Sequence, residues 1–190
     1  MRFKHHFLVS LKESASIQFV SCTATSTIHN MFNVLGLSPL SLKAPKFIPV
    51  HWDPPPVNWL KVNTDGSFRN PETAGFGGVF RDHEGLFQGA FAHKVEVSSA
   101  IDAEVLAVIE ALGVAWRKGW THLWLATDSY LVVHYFNNPK LIPWRLRVVW
   151  NNCVYFSRLI HFRVTHIYRE GNMVADALAN YGATNVGARW

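Results

Sequence analysis

Leu60-Lys61-Val62-Asn63-Thr64-Asp65-Gly66-Ser67 is the stretch on which the fold turns. An alternating, β-branched run predicts a strand over Trp59–Ser67 that ends on a carboxylate and two small residues. The same pattern returns in Leu123-Trp124-Leu125-Ala126-Thr127-Asp128-Ser129. If these two strands are neighbours, Asp65 and Asp128 lie near one sheet edge. A carboxylate in an apolar setting is costly unless something positive binds it. Taken singly, each Asp also reads as a turn cap.

Working outward, Gly75–Arg81 and Leu86–Val95 read as a hairpin around the turn Arg81-Asp82-His83-Glu84-Gly85. A long helix is predicted from Ser99 to Arg117, with Ser99 as N-cap, Asp102 three residues on, and Lys118-Gly119 as the stop. Strand Leu123–Thr127, helix Tyr130–Phe136, a break at Pro139 and Pro143, helix Trp144–Leu159, strand Phe162–Tyr168 and helix Val174–Tyr181 follow. Three consecutive strands and then alternating helices and strands predict an α/β class with a mixed five-stranded sheet. On the long helix Ile101, Val105, Val108 and Leu112 form the inward stripe. Glu104 falls about 60° from Ile101, whereas Glu110 lies opposite and reads as a solvated residue. Asp176, in Ala175-Asp176-Ala177-Leu178-Ala179, also suits an ordinary helix.

With 190 residues and 49% hydrophobic content, the chain suits one core with an extension. No apolar stretch approaches the roughly 20 residues that span a bilayer, so no membrane partner is expected. Cys22 and Cys153 lack metal-ligand spacing and read as free thiols, which suits a reducing, intracellular compartment, nucleus or cytoplasm. Residues 1–56 carry five Lys or Arg against two acids and end in Pro54-Pro55-Pro56. They are expected to be an N-terminal extension: a poorly ordered leader, the remnant of a neighbouring domain, or an organelle transit segment. Residues 57–183 form the expected domain and 184–190 a tail. Residues 57–184 carry twelve basic against eleven acidic residues. Focused acids on an otherwise basic domain suit a metal-dependent phosphate substrate better than a simple electrostatic DNA binder.

Strand-Asp, helix-Glu, strand-Asp, helix-Asp in this order resembles the ribonuclease H superfamily, type 1, and most of all the plant domains related to the reverse transcriptases of non-LTR retroelements. The resemblance rests on the segment from Leu60 to Ser67, Gly75-Phe76-Gly77-Gly78-Val79-Phe80-Arg81-Asp82, the Glu104 helix and Thr127-Asp128-Ser129. It closes with His166-Ile167-Tyr168-Arg169-Glu170-Gly171-Asn172 and Ala175-Asp176, and covers about residues 57–183. It implies a ribonuclease H-like fold and hydrolysis of the RNA strand of RNA–DNA hybrids by a monomer. Asp65, Glu104, Asp128 and Asp176 would hold two Mg²⁺, or Mn²⁺ in their place. Gly66, Ser67, Ser99, Ser129, Arg169 and Asn172 would meet the nucleic acid.

His166, ten residues before Asp176, matches a catalytic His of bacterial members, while strand alternation reads it as a strand-end His with a structural hydrogen bond. Ser99 takes the place of a phosphate-contacting Thr, and the Asn pair that normally follows is Ala100-Ile101. The basic handle of bacterial members is missing. Arg145, Arg147, Arg158 and Arg163, with Trp144 and Trp150 interleaved, are candidates to replace it, although core Trp and solvated Arg read more naturally. The competing reading is a domesticated nucleic-acid-binding or interaction module with little turnover.

Overall fold

A computed structural model describes residues 49–185. Residues 1–48 of the expected extension, Cys22 and the tail beyond Asn185 lie outside the described residues, whereas residues 49–56 of that extension are ordered with the domain. Five strands, β1 (Leu60–Asn70), β2 (Thr73–Arg81), β3 (Phe87–Val95), β4 (His122–Thr127) and β5 (His161–His166), form one sheet in the order β3-β2-β1-β4-β5. The hairpin strands pair antiparallel with β1, whereas β4 and β5 add parallel to it. This is the expected ribonuclease H-like arrangement. Thr64 pairs with Thr127, so the next residues, Asp65 and Asp128, leave the parallel pair at the same level.

The helices are α1 (Ala100–Lys118), α2 (Tyr130–Asn137), α3 (Arg147–Ser157) and α4 (Met173–Thr184). Strand alternation sends Val62, Phe80, Leu123 and Leu125 into a core shared with Val105, Val108 and Leu112 of α1, Val132 of α2 and Trp150 of α3. Each such fully buried aliphatic side chain contributes roughly 1.5–3 kcal/mol. Lys61, Asn63 and Asp65 point to the opposite face. There α4 lies so close that a Cβ at Gly75 or Gly77 would fall within its backbone, which is why only glycine fits. Among the described residues no helix is long and apolar enough to cross a membrane.

Several boundaries differ from expectation for local reasons. The helix expected from Trp144 begins as a 3₁₀ turn, Trp144–Leu146, because Pro143 accepts from the Leu146 N–H (2.9 Å). It becomes α-helical only from Arg147 and ends at Ser157. β5 stops at His166 rather than Tyr168, and a further 3₁₀ turn, Arg169–Gly171, leads into α4. Ser99 is not a capping hydroxyl: it donates instead to Asp102 Oδ2 (2.7 Å). Asp102 is only 1% exposed, and its charge, cut off from water, also takes an ion pair from Arg145 across the fold. Arg145 therefore does not belong to a free basic surface, and Trp150 is core while Trp144 is exposed. Glu110 pairs with Arg117 on the surface (2.6 Å).

The segment before the triproline also lies on the sheet. Trp52 donates its indole N–H to Asn63 (2.9 Å), and Lys61 donates to the carbonyl of Asp53 (2.7 Å). Lys61 stands over the rings of Trp52 and Trp124, at 4.9 and 4.0 Å from their centroids, and Arg163 covers Trp124 at 4.1 Å.

Candidate active site

Three elements bring three carboxylates together. β1 supplies Asp65, the end of β4 supplies Asp128, and the first turns of α1 supply Glu104. Carboxylate oxygens of the three lie within 4.8 Å of one another. Gly66 makes the approach of α1 possible, since a Cβ there would collide with the backbone of Ala103 and Glu104. The Gly66 N–H in turn supports the Glu104 carboxylate.

The protein leaves this cluster short of positive charge. Burial, the charge of Asp128 and a hydrogen bond shared with it push Asp65 up to about 8. Burial, then the charges of Asp65 and Asp128, push Glu104 up to about 9. Glu104 Oε2 is buried without a hydrogen-bond partner. Like charges this close cannot all ionise without help. Several oxygens whose nearby cation, Arg169, is paired to Asp176 instead fit a hard divalent ion, which takes oxygen ligands and displaces protons from them. Asp65, Glu104 and Asp128 could therefore hold a metal ion.

Asp176 stands beside the cluster rather than inside it. Its charge reaches Asp65, but its carboxylate accepts from Arg169 (2.9 Å) and Asn180 (3.1 Å). The Arg169 side chain is 77% exposed, so the guanidinium stands at the open side of the site. Asn172 is 1% exposed. Its amide donates to the Thr64 carbonyl (2.9 Å) and Asp128 Oδ1 (3.4 Å) and accepts from Asn63 (3.0 Å), so it serves the site from inside the fold. His166 stacks on Tyr130, with ring centroids 3.5 Å apart, and its Nε2 lies 3.1 Å from the Asp128 carbonyl. It braces the backbone of Asp128. Ser129 caps α2 through Val132 (3.4 Å), Ser67 donates to Asn180 (2.8 Å), and Ser99 faces Asp102.

Two participants escape a reading of the sequence. Asn63 stands two residues before Asp65 and so shares its strand face, a phase visible in the sequence, but an amide there carries no charge signal. Asn180 lies four residues after Asp176, one helical turn on, and is equally silent.

The sequence and the fold recur in known proteins. The family described as Reverse transcriptase-like matches residues 63–182. An Arabidopsis thaliana protein named "Putative ribonuclease H protein" is 37% identical over 134 residues, which is 70% of this chain and 22% of that protein's length. RNase H1 of the archaeon Halobacterium salinarum superposes with a TM-score of 0.56 at 29% identity, over 65% of this chain and 96% of that one. LC11-RNase H1, solved in complex with an RNA/DNA hybrid, gives 0.59 at 25% identity, over 65% and 96%. The chain therefore belongs to the Reverse transcriptase-like family, with a ribonuclease H-like domain over the matched residues.

Proposed function

We propose that the chain is a Mg²⁺-dependent ribonuclease that cuts the RNA strand of RNA–DNA hybrids. One observation carries the reading: a group of carboxylates, Asp65 buried and Glu104 and Asp128 half-buried, none of which has an ion-pair partner among the described residues, in a fold shared with a hybrid-bound RNase H1. Asp65, Glu104 and Asp128 are the core ligands, and Asp176 completes the set once Arg169 turns toward substrate. Two Mg²⁺ ions, with Mn²⁺ as substitute, would supply an activated water and charge neutralisation at the phosphorus and the leaving 3′-oxygen. The remaining tasks fall to the chain. Asp128 is braced by the His166 ring behind its carbonyl and by the Asn172 amide on its carboxylate, so its orientation is set before substrate arrives. Arg169, whose guanidinium is paired to Asp176 and is otherwise exposed among the described residues, is placed to meet a phosphate at the rim. Glu104 would stand near the 2′-hydroxyl that distinguishes RNA from DNA.

The test is cleavage of a labelled hybrid with Mg²⁺ or Mn²⁺ at fixed salt, with duplex RNA and duplex DNA as controls. Cutting confined to the RNA of the hybrid, and lowered about 1000-fold or more in Asp65→Asn, is expected, because the metal's several kcal/mol of transition-state stabilisation is lost. Hybrid binding without cutting would replace this reading with a binding module.

A further inference from the structure

Beside the carboxylates runs a chain of hydrogen bonds whose polarity is set at its far end. It begins at Trp52, outside residues 63–182, where the family match lies. The indole N–H is a donor and nothing else. It donates to Asn63 Oδ1 (2.9 Å), which obliges the Asn63 amide to turn its NH₂ end the other way. That end donates to Asn172 Oδ1 (3.0 Å), so the NH₂ of Asn172 must face the Thr64 carbonyl (2.9 Å) and Asp128 Oδ1 (3.4 Å). Asn63 is 2% and Asn172 1% exposed, so the protein itself supplies most of their hydrogen-bond partners.

We infer that Trp52 is a positioning residue of the site, acting through Asn63 and Asn172 to hold Asp128 as a cation ligand. The inference rests on the carboxylates being a cation site, as proposed above. Remove the indole N–H and the Asn63 carbonyl oxygen is buried without a donor. Its amide is then fixed by one bond instead of two, so the Asn172 amide that it orients is held less firmly against Asp128. The rest of the Trp52 environment is a separate matter: its ring lies against Lys61 and under Arg81, at 4.9 and 5.6 Å, contacts that a phenyl ring keeps.

That separation gives the experiment. The full chain, Trp52→Phe, Asn63→Ala and the double variant are titrated calorimetrically with Mn²⁺ in the absence of nucleic acid, with Asp65→Asn as control. Trp52→Phe is expected to weaken Mn²⁺ binding roughly 10-fold, the low end for partners outside the ligand shell. It should add nothing further in the Asn63→Ala background, since the two act in series. Mn²⁺ affinity in Trp52→Phe within about twofold of the unaltered chain, or losses that simply add, would overturn the inference while leaving the cation site standing. An unaltered chain that binds no Mn²⁺, or an Asp65→Asn protein that binds it equally well, would remove both. A second measurement needs no variant: the Trp52 indole proton of the unaltered chain should exchange slowly with water, and free exchange would overturn the inference as well.

Discussion

Asp102 and Glu104 stand two residues apart on α1, and the fold withdraws both from water, yet it treats them differently. Asp102 is 1% exposed and receives its own cation, Arg145, together with the Ser99 hydroxyl. Each keeps one buried oxygen without a hydrogen-bond partner among the described residues, but Glu104 has the Gly66 N–H and two more carboxylates beside it and no ion pair, with Arg169 acting on it only at a distance. A buried charge paired from within is a structural element. A buried charge surrounded by its own sign costs free energy in the unloaded protein and is reasonable only if an outside cation completes it. The contrast separates scaffold acid from site acid on one helix without reference to sequence relatives.

The contrast breaks most sharply on cation dependence. Arg145→Met leaves Asp102 buried and unpaired and should lower stability by about 2–3 kcal/mol, less than for a fully buried pair because Arg145 is itself 44% exposed. That loss, read from denaturant unfolding, should be the same in chelator and in Mg²⁺. Asp65→Asn should show the reverse pattern. In the unaltered chain at pH 8, Mg²⁺ at about 100 times its dissociation constant should add about 2.7 kcal/mol, and the variant should lose this gain. Equal cation response in both proteins would erase the distinction between the two acids.

Glu104→Gln sharpens it through pH. The folded protein holds Glu104 up to about 9 against an ordinary value of 4.5, so the folded state binds the extra proton between those limits. Stability from this group therefore falls as pH rises through that window. Glu104→Gln removes the charge and keeps an acceptor for Gly66. In chelator it should match the unaltered chain near pH 4.5 and become the more stable of the two by about 1 kcal/mol or more at pH 8. With Mg²⁺ present the order at pH 8 should reverse. A variant less stable than its parent at pH 8 in chelator would mean that Glu104 is internally compensated after all.

These differences also explain what could be read from the chain alone. Asp65 and Asp128 were legible because strand period and the Thr-Asp step place them together, and Glu104 because helical phase sets it beside the inward stripe. Asp176 was not separable from an ordinary helical Asp without family resemblance. The Asp102–Arg145 pair left no trace: its members are 43 residues apart, and periodicity carries no information on which distant side chains meet. The short 3₁₀ turn at Trp144–Leu146 escaped for a related reason, since helical period and a Pro-led tight turn look alike over three residues. Asn63 and Trp52 show the same limit for hydrogen bonds, whose partners are fixed by tertiary approach rather than by residue type.

Lys61 supplies the opposite-sign counterpart and the smallest effect. It lies on β1 four residues before Asp65, 3% exposed, and burial lowers it from 10.5 to about 8 despite the charge of Asp53. Here the fold compensates the charge itself, with the Asp53 carbonyl and two indole faces. The sign of the pH dependence follows from proton count. Between about 8 and 10.5 the unfolded chain holds the proton more firmly than the folded one, so stability from Lys61 rises with pH in that window and is flat below it. Relative to Lys61→Met, which keeps much of the length and none of the charge, the unaltered chain should gain a fraction of a kcal/mol to about 1 kcal/mol from pH 7 to 10, and Mg²⁺ should not alter the difference. Parallel curves for the two proteins would show that Lys61 holds its proton as firmly in the folded as in the unfolded chain, its burial fully compensated. A Mg²⁺-dependent difference would show that the two ends of β1 are coupled rather than independently compensated.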